Sequence, residues 1–317
     1  MNRPFLQTTR PPYLKPDDTV GVLAAASCLD YEDLAPGLAM MRQDWGLEVI
    51  EGQTLRLKDH GFAGTDTQRA EDLQTMLDDP AIKAIFSARG GYGSSRILDQ
   101  LDFSAFVQKP KWVVGFSDIT AVHSHIYGLG VESLHATMPK LFARTDAQEA
   151  VQSLKNMLFG YQQPPYQAPP TVHNRLGKAQ GNVVGGNLCL MAHLLGSRSE
   201  IDTTNCILFL EDLNEFYYNL DRMMVQLKRA GKLSQLAGLV VGQFTDSKDN
   251  DREPFGMTAD EIVAHHVGQY AYPVCFNFPV GHVDRNLAIP HGRRVELTVQ
   301  AHGAELNLNP DINVETV

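Results

Sequence analysis

Residues 111–127 read KWVVGFSDITAVHSHIY and contain a short apolar strand, a tight turn and a helix in direct succession. The strand is expected over 111–114, the turn over 115–118 and the helix over 119–127. This order is typical of a nucleophile elbow, in which a sharp bend lifts a serine hydroxyl out of the sheet. The start of the helix adds free backbone N–H groups at the same point, which suits acyl transfer. A serine before a helix is also a common N-cap, so both interpretations of Ser117 stay open.

Strands alternate with helices on both sides of this stretch, over residues 19–134. Such alternation predicts a parallel sheet with helices on both of its faces. A glycine-rich turn at 89–93 follows one of these strands, and we expect a helix over 94–101 directly after it.

The composition of the sequence changes near residue 160, where a proline-rich stretch begins. Proline continues neither a helix nor a central strand, so this stretch is interpreted as a linker. We therefore expect an N-terminal α/β domain over residues 1–159, a linker over 160–178 and a C-terminal domain over 179–317. The last of these mixes helices with a strand-rich core and is classed as α+β.

Composition limits the classes of function that need to be considered. The chain has 317 residues, 43% of them hydrophobic, and a net charge of −10 at pH 7. The acidic balance argues against nucleic acid as a partner, and no stretch approaches the ~20 apolar residues that span a bilayer. The first 15 residues have no apolar core, so we expect no signal peptide and a cytoplasmic location. The four cysteines form no C-x-x-C pair, which is typical of free thiols in a reducing compartment.

The glycine-rich turn ARGGYG, residues 88–93, has three possible interpretations. It lacks the P-loop pattern, and Arg96 stands where the dinucleotide fingerprint needs glycine, which disfavours a phosphate site. Glycines also let backbone N–H groups approach a developing negative charge, because no Cβ blocks the way. An oxyanion hole is therefore the second interpretation, and a tight turn without a ligand is the third.

A serine nucleophile needs a base and an acid that orients the base. His282 is the candidate base because it lies in a loop after an apolar strand, where functional residues are often held. Glu211 is the candidate acid because it ends the strand 207–210, and binding crevices form at the carboxyl ends of strands. Asp212 and Glu215 are rivals, and the acidic cluster as a whole could instead cap the following helix.

Five motifs occur in one order along the chain. They are ARGGYG at 88–93, GFSD at 115–118, GGN at 185–187, LED at 210–212 and GH at 281–282. This set resembles the LD-carboxypeptidase family of serine peptidases, which includes murein tetrapeptide carboxypeptidases and microcin immunity hydrolases. The resemblance extends over nearly the whole chain, from about residue 19 to residue 299.

The resemblance implies an N-terminal α/β domain related to class I glutamine amidotransferases, followed by a C-terminal domain rich in β-structure. It implies that Ser117 is the nucleophile, Glu211 the acid and His282 the base, so that the triad forms across the domain boundary. The oxyanion donors are then the backbone N–H groups of Gly91 and Asp118.

Other residues are expected to contact the substrate. A carboxypeptidase must bind a free carboxylate, and the guanidinium of Arg89 is suited to this, although it could equally brace its own loop. The remaining candidates are Tyr92, Asn187 and His135. No metal-ligand motif is present, and we expect neither a metal nor a cofactor.

The expected activity is that of a serine L,D-carboxypeptidase. It would release the terminal D-alanine from a murein tetrapeptide during peptidoglycan recycling in the cytoplasm, with the murein peptide as its partner and a homodimer as its assembly. One alternative is an immunity-type serine hydrolase that cleaves peptidyl or acyl-sulfamoyl adenylates. A second alternative is a non-catalytic module whose glycine loop holds a phosphorylated ligand.

Overall fold

A computed structural model describes residues 6–310, which form two compact units. The N-terminal unit contains Thr8–Gln162 together with the later segment Asp284–Pro290. The C-terminal unit contains Gln163–Val283 and, within the described residues, also 6–7 and 291–310.

A six-stranded sheet forms the centre of the N-terminal unit, with strand order β11-β5-β4-β3-β1-β2. The neighbouring strands from β2 to β5 all pair in parallel. The apolar runs of β1, β3, β4 and β5 are buried, as expected when helices cover both faces of a parallel sheet, whereas the edge strand β2 is partly exposed. The strand bounds are β1 Thr19–Leu23, β2 Glu48–Glu51, β3 Ile82–Ser87, β4 Trp112–Gly115, β5 Ser133–His135 and β11 Ile289–His291.

Five helices lie in this unit, and one of them begins at a clear sequence signal. Helix α2 begins with a capping box, because the Thr65 hydroxyl accepts from the N–H of Gln68 at 3.2 Å and the Gln68 side chain accepts from the N–H of Thr65 at 2.9 Å. The bounds are α1 Tyr31–Gln43, α2 Asp66–Asp78, α3 Ser104–Gln108, α4 Thr120–Gly128 and α5 Gln148–Phe159.

The helix predicted over 94–101 is wrong. Two short 3₁₀ turns occupy this segment instead, Ser94–Arg96 and Leu98–Gln100. Gly93 before them has φ +137°, and the N–H and hydroxyl of Ser94 are both bonded to Asp118. These tertiary bonds fix the start of the segment, and the sequence pattern contains no sign of them.

The C-terminal unit contains a seven-stranded sheet with strand order β10-β9-β8-β7-β12-β13-β6. Strands β7 to β10 pair in parallel, and β12, β13 and β6 continue the sheet with antiparallel pairs. The strands are β6 Tyr166–Ala168, β7 Gly177–Asn187, β8 Ile207–Leu213, β9 Gly238–Thr245, β10 Val274–Cys275, β12 Arg294–Gln300 and β13 Gly303–Asn307. The helices are α6 Leu188–His193, α7 Tyr217–Arg229 and α8 Ala259–Val267.

These two sheets confirm the predicted fold class, a parallel α/β part followed by a strand-rich α+β part. The segment 160–178, predicted as a linker, differs in one respect, because it contains β6 and the first residues of β7. Its four prolines lie in two pairs that flank β6, so the three residues between them remain able to pair with β13. Within residues 6–310, no helix is long and apolar enough to cross a membrane.

A close approach of helix α1 to the backbone yields a test of the fold. A Cβ at Gly37 would lie 1.9 Å from the carbonyl oxygen of Pro139, whereas a Cβ at Gly128 in α4 would meet no described atom within 4 Å beyond its chain neighbours and the backbone of its own helix. We expect Gly37→Ala to lower the free energy of unfolding by about 1–3 kcal/mol through overpacking. Gly128→Ala should be neutral or slightly stabilising, since alanine favours a helix. Urea unfolding of both variants measures this, and an equal effect at the two positions would contradict the packing.

Candidate active site

Ser117 lies in the turn between β4 and α4 and has an unusual backbone. Its φ is +64°, in the left-handed region that non-glycine residues rarely adopt. Such strain clusters at functional positions and is a property of nucleophile elbows. Ser117 is not an N-cap here, because Phe116 and Ile119 hold the cap positions and no side-chain cap bond forms. The structure therefore favours the elbow interpretation over the capping one.

The residue before the turn is held by two hydrogen bonds. The carbonyl oxygen of Gly115 accepts from the N–H of Ala136 at 3.0 Å and from Nε2 of His123 at 2.8 Å. Nδ1 of His123 is 2.8 Å from the Ser133 hydroxyl. Burial lowers the pKa of His123 to about 4, so the ring is neutral at physiological pH and donates from Nε2. His123 therefore fixes the end of β4.

The glycine-rich turn packs directly against Ser117. A Cβ at Gly90 would lie 2.9 Å from the Cβ of Ser117, so a larger residue at this position would displace the turn. Gly91 has φ +115°, and a Cβ there would lie 2.1 Å from Oγ of Ser27. The Ser27 hydroxyl accepts from the N–H of Tyr92 at 3.2 Å. The structure thus brings together three predicted site residues, Ser117, Asp118 and Gly91.

Sequence reasoning missed Ser27 and Arg69, which support this turn. Arg69 is fully buried, and its Nη1 donates to the carbonyl oxygens of Ala25 at 2.8 Å and Gly93 at 2.9 Å. It also pairs with Asp66. A fully buried arginine is rare, but Arg69 looks like a solvent-facing residue on a polar helix. The only available signal for Ser27 was its position just beyond the carboxyl end of β1.

The C-terminal unit brings Glu211 and His282 together. Nδ1 of His282 lies 2.7 Å from Oε2 of Glu211, and Glu211 is fully buried. Gly281 makes this contact possible, because a Cβ there would lie 2.9 Å from the Cβ of Glu211 and 3.0 Å from Oε2. With φ +122°, Gly281 also adopts a conformation that other residues rarely reach.

The pKa of His282 reflects two opposing effects. Burial acts to lower it, but the hydrogen bond that Nδ1–H donates to the Glu211 carboxylate, together with the charge of that carboxylate, raises the pKa of His282 above the usual 6.5. Because the folded-state pKa exceeds the unfolded one, the pair stabilises the fold fully below pH 6.5, and this stabilisation is lost as pH rises through the folded value. A carboxylate in this position fixes the imidazole tautomer and stabilises the imidazolium.

The rival acids have other partners. Asp212 accepts from the Asn187 side chain at 2.7 Å and from the N–H of Cys189 at 2.9 Å. Burial, helped by the charge of Glu211, raises the pKa of Asp212 to about 7. Glu215 accepts from the side chain of Asn219 at 2.5 Å. Asp212 therefore binds the start of α6, the helix before β8, rather than capping the helix that follows.

Two of the residues expected to contact substrate lie in the glycine-rich turn. Nη1 of Arg89 donates to the carbonyl oxygen of Cys28 at 2.8 Å, so at least one N–H of the guanidinium links the glycine-rich turn to the segment after β1. Tyr92 is 52% exposed, and its ring centroid lies 5.9 Å from that of Phe62. Tyr92 is therefore the exposed member of this aromatic pair, and Phe62 is half-buried.

The other two expected contact residues are buried. The side-chain oxygen of Asn187 accepts from the N–H of Leu190 at 3.1 Å, which makes Asn187 the N-cap of α6. His135 is fully buried at the end of β5, with its ring centroid 5.9 Å from that of Phe116. Both residues thus have structural partners beside the predicted site. In the part of the chain that the structure describes, no group of three or more His, Cys, Asp or Glu is placed to hold a metal ion.

Two family profiles match this chain, one in each half of the sequence. The profile described as the LD-carboxypeptidase N-terminal domain matches residues 20–136, and the one described as the LD-carboxypeptidase C-terminal domain matches residues 180–297. The protein of Bacillus subtilis named "probable murein peptide carboxypeptidase" is 34% identical over 298 residues, 92% of each chain. The present chain belongs to the LD-carboxypeptidase family. The resemblance that the five motifs suggested is confirmed.

Other members of the family support this assignment. The murein tetrapeptide carboxypeptidase of Pseudomonas aeruginosa is 29% identical, with 89% of this chain and 93% of that protein aligned. The structure of muramoyltetrapeptide carboxypeptidase from Oxalobacter formigenes superposes with a TM-score of 0.81 at 25% identity, over 92% of this chain and 98% of that one. This member of the LD-carboxypeptidase family is therefore a carboxypeptidase-type peptidase.

A more distant member has a different name. The microcin C7 self-immunity protein of Escherichia coli is 23% identical over 80% of this chain and 81% of its own. A structure of that protein in complex with aspartyl sulfamoyl adenosine superposes with a TM-score of 0.82 at 20% identity, over 96% of this chain and 98% of that one. At this level of identity, the likeness shows a shared fold alone.

The contact between Glu211 and His282 predicts how the imidazole titrates. In Glu211→Gln the charge is removed while burial remains, so we expect the pKa of His282 to fall below 6.5. The matched control is Asp212→Asn, which removes a neighbouring charge but not the hydrogen bond and should lower the pKa less. An NMR titration of the imidazole protons measures both variants. An unchanged pKa in Glu211→Gln would show that the carboxylate does not govern the histidine.

Proposed function

We propose that the chain is a serine L,D-carboxypeptidase that releases the C-terminal D-alanine from murein tetrapeptides in peptidoglycan recycling. In this proposal Ser117 is the nucleophile, His282 the base and Glu211 the orienting acid. The contact between His282 and Glu211 is the observation that carries it, since a base held by a buried carboxylate is what a serine nucleophile needs. The names of the relatives supply the substrate class.

The proposed reaction begins with proton transfer from the hydroxyl of Ser117. Because Nδ1 of His282 faces Glu211, the proton moves to Nε2 as Oγ bonds to the carbonyl carbon of the last peptide bond. The tetrahedral intermediate then collapses, the C–N bond breaks, and His282 returns the proton to the amine of the departing D-alanine. A water molecule attacks the acyl-enzyme by the same route and regenerates Ser117.

The proposed oxyanion donors are the backbone N–H groups of Gly91 and Asp118. The close packing of Gly90 on Ser117 supports this, because it holds the glycine-rich turn beside the nucleophile. Preorganised donors of this kind are typically worth about 10²–10³-fold in kcat each.

Substrate recognition is proposed to use the exposed side of the glycine-rich turn. A guanidinium binds a carboxylate through two parallel hydrogen bonds, so Arg89 is the proposed partner of the terminal carboxylate. Tyr92, with more than half of its surface exposed, is the proposed contact for the peptide stem. Asn187, paired with Glu211 across neighbouring strands, and His135, packed beside Phe116, complete the proposed set of substrate-binding residues. The proposal further includes a cytoplasmic location and a homodimer. Analytical sedimentation of the purified protein would test the homodimer.

Replacement of the nucleophile is the direct test. We expect the wild-type protein to release D-alanine from L-Ala–γ-D-Glu–diaminopimelate–D-Ala, and we expect Ser117→Ala to reduce this rate by at least about 10³-fold. The alanine variant should still bind the peptide, which calorimetry measures. Equal release by the two proteins would show that another residue attacks, and loss of the rate on addition of a chelator would exclude the metal-independent mechanism.

The same experiment separates the alternative functions. An acyl-sulfamoyl adenylate offered in a parallel reaction would be cleaved by an immunity-type hydrolase. A non-catalytic module would cleave neither compound. Release of D-alanine alone is the expected result.

The pH dependence follows from the sign of the His282 shift. The base must be neutral to accept a proton, and its pKa lies above 6.5, so kcat/KM should fall as pH decreases through a value above 6.5. Rates measured between about pH 5 and 9 test this. An acid limb below 6.5 would contradict the assignment of His282 as the base.

A further inference from the structure

The side chain of Asp118 joins two segments that are far apart in sequence. Its Oδ2 accepts from the N–H of Ser94 at 2.8 Å, and its Oδ1 accepts from the N–H of Gly93 at 3.3 Å. The Ser94 hydroxyl donates in return to the carbonyl oxygen of Asp118 at 2.8 Å. Asp118 and Ser94 are both fully buried. The glycine-rich turn is therefore tied at three points to the residue that follows Ser117.

A second side chain holds the preceding residue of the turn. The N–H of Tyr92 donates to the hydroxyl of Ser27 at 3.2 Å. Three successive N–H groups, those of residues 92 to 94, thus point at side-chain oxygens of the protein. Gly91, the residue before them, is exposed. The N–H of Tyr92 belongs to the peptide unit that Gly91 begins, so its bond to Ser27 holds the turn directly after Gly91.

We propose that Asp118 is a positioning residue whose carboxylate fixes the glycine-rich turn against Ser117, so that the backbone N–H groups of Gly91 and Asp118 converge on one point. This inference rests on the proposed function, because it assigns these two groups to the oxyanion hole. It adds a role for the side chain of a residue that the mechanism uses only through its backbone. Asp118, Ser94 and Ser27 together form a turn clasp, which holds residues 92–94.

The chemistry of a carboxylate explains why aspartate occupies this position. Each of its two oxygens can accept a hydrogen bond from a separate N–H group, which no neutral side chain of this size can do. Burial opposes the charge and raises the pKa of Asp118, but the bonds from Ser94 and Gly93 and the charge of Arg69 act in the opposite direction. Arg69 also donates to the carbonyl oxygen of Gly93, so both the N–H and the carbonyl group of Gly93 are hydrogen-bonded to side chains.

Replacing Asp118 by asparagine changes the hydrogen-bonding groups of the side chain but not its size. Asp118→Asn keeps the shape of the side chain but replaces one acceptor oxygen by an NH₂ group, which would face an N–H donor of the turn. One of the two bonds must break, and the turn gains freedom to rotate. We expect kcat to fall about 10²-fold with little change in KM, since the loss occurs in the stabilisation of the transition state. Hydrogen–deuterium exchange of residues 92–94 should become faster.

Two serine variants provide the matched comparison. Ser94→Ala removes only the hydroxyl bond to Asp118, and we expect kcat to fall about 10-fold. Ser124 is also buried, and its hydroxyl donates to the carbonyl oxygen of Thr120 at 2.7 Å within α4. Ser124→Ala therefore removes a bond of the same type outside the turn clasp and should leave kcat unchanged. Ser94→Ala also carries the test if Asp118→Asn does not fold.

The outcomes distinguish this inference from the proposed function. If the wild-type protein releases D-alanine and Ser117→Ala does not, unchanged kcat in both Asp118→Asn and Ser94→Ala overturns the positioning role alone. If the wild-type protein releases no D-alanine, the proposed function fails. The rate of hydrogen–deuterium exchange at residues 92–94 then tests the turn clasp on its own. Faster exchange in Asp118→Asn then supports the clasp, and unchanged exchange overturns it. Equal loss of kcat in Ser94→Ala and Ser124→Ala would indicate general destabilisation and would also overturn the inference.

Discussion

The left-handed backbone of Ser117 is the constraint on which the turn after β4 and the glycine-rich turn packed against it depend. A non-glycine residue with φ +64° costs about 1–3 kcal/mol, and the surrounding structure must offset this. Two hydrogen bonds to the carbonyl oxygen of Gly115 contribute roughly 0.5–1.5 kcal/mol each on one side of the turn. On the other side, Gly90 packs so closely that the turn has no room to relax. The strain therefore persists because the neighbours of Ser117 leave no alternative conformation.

In the C-terminal unit, too, a glycine packs closely against a side chain of the proposed site. Gly281 lies against Glu211 as closely as Gly90 lies against Ser117, and in each case a Cβ would come within 2.9 Å of a side chain of the site. In both units the proposed catalytic side chain stands at or near the carboxyl end of a strand in a parallel part of the sheet. The sheet supplies the rigid base, and a glycine in the adjacent loop allows the close contact.

The proposed catalytic residues could be predicted from the sequence, but the side chains that hold the turns around them could not. The strand, turn and helix around Ser117 are local patterns, and the contact of Glu211 with His282 followed from motifs whose order indicates a family. Arg69 and the side-chain role of Asp118 could not be predicted, because both depend on bonds between segments more than 20 residues apart. The absence of a regular helix after Gly93 has the same origin. Tertiary hydrogen bonds override a local helical pattern when they hold its first residues.

The adjacent carboxyls of Glu211 and Asp212 show how one strand can serve two purposes. Successive side chains of a strand point to opposite faces, so Glu211 meets His282 while Asp212 meets the start of α6. The pairing of β8 with β9 shifts its register between Leu210 and Asp212, at the point where both acids are buried. Burial and the charge of Glu211 raise the pKa of Asp212 to about 7, which limits the repulsion between neighbours near neutral pH. The irregular strand thus separates an acid that orients a histidine from one that anchors a helix.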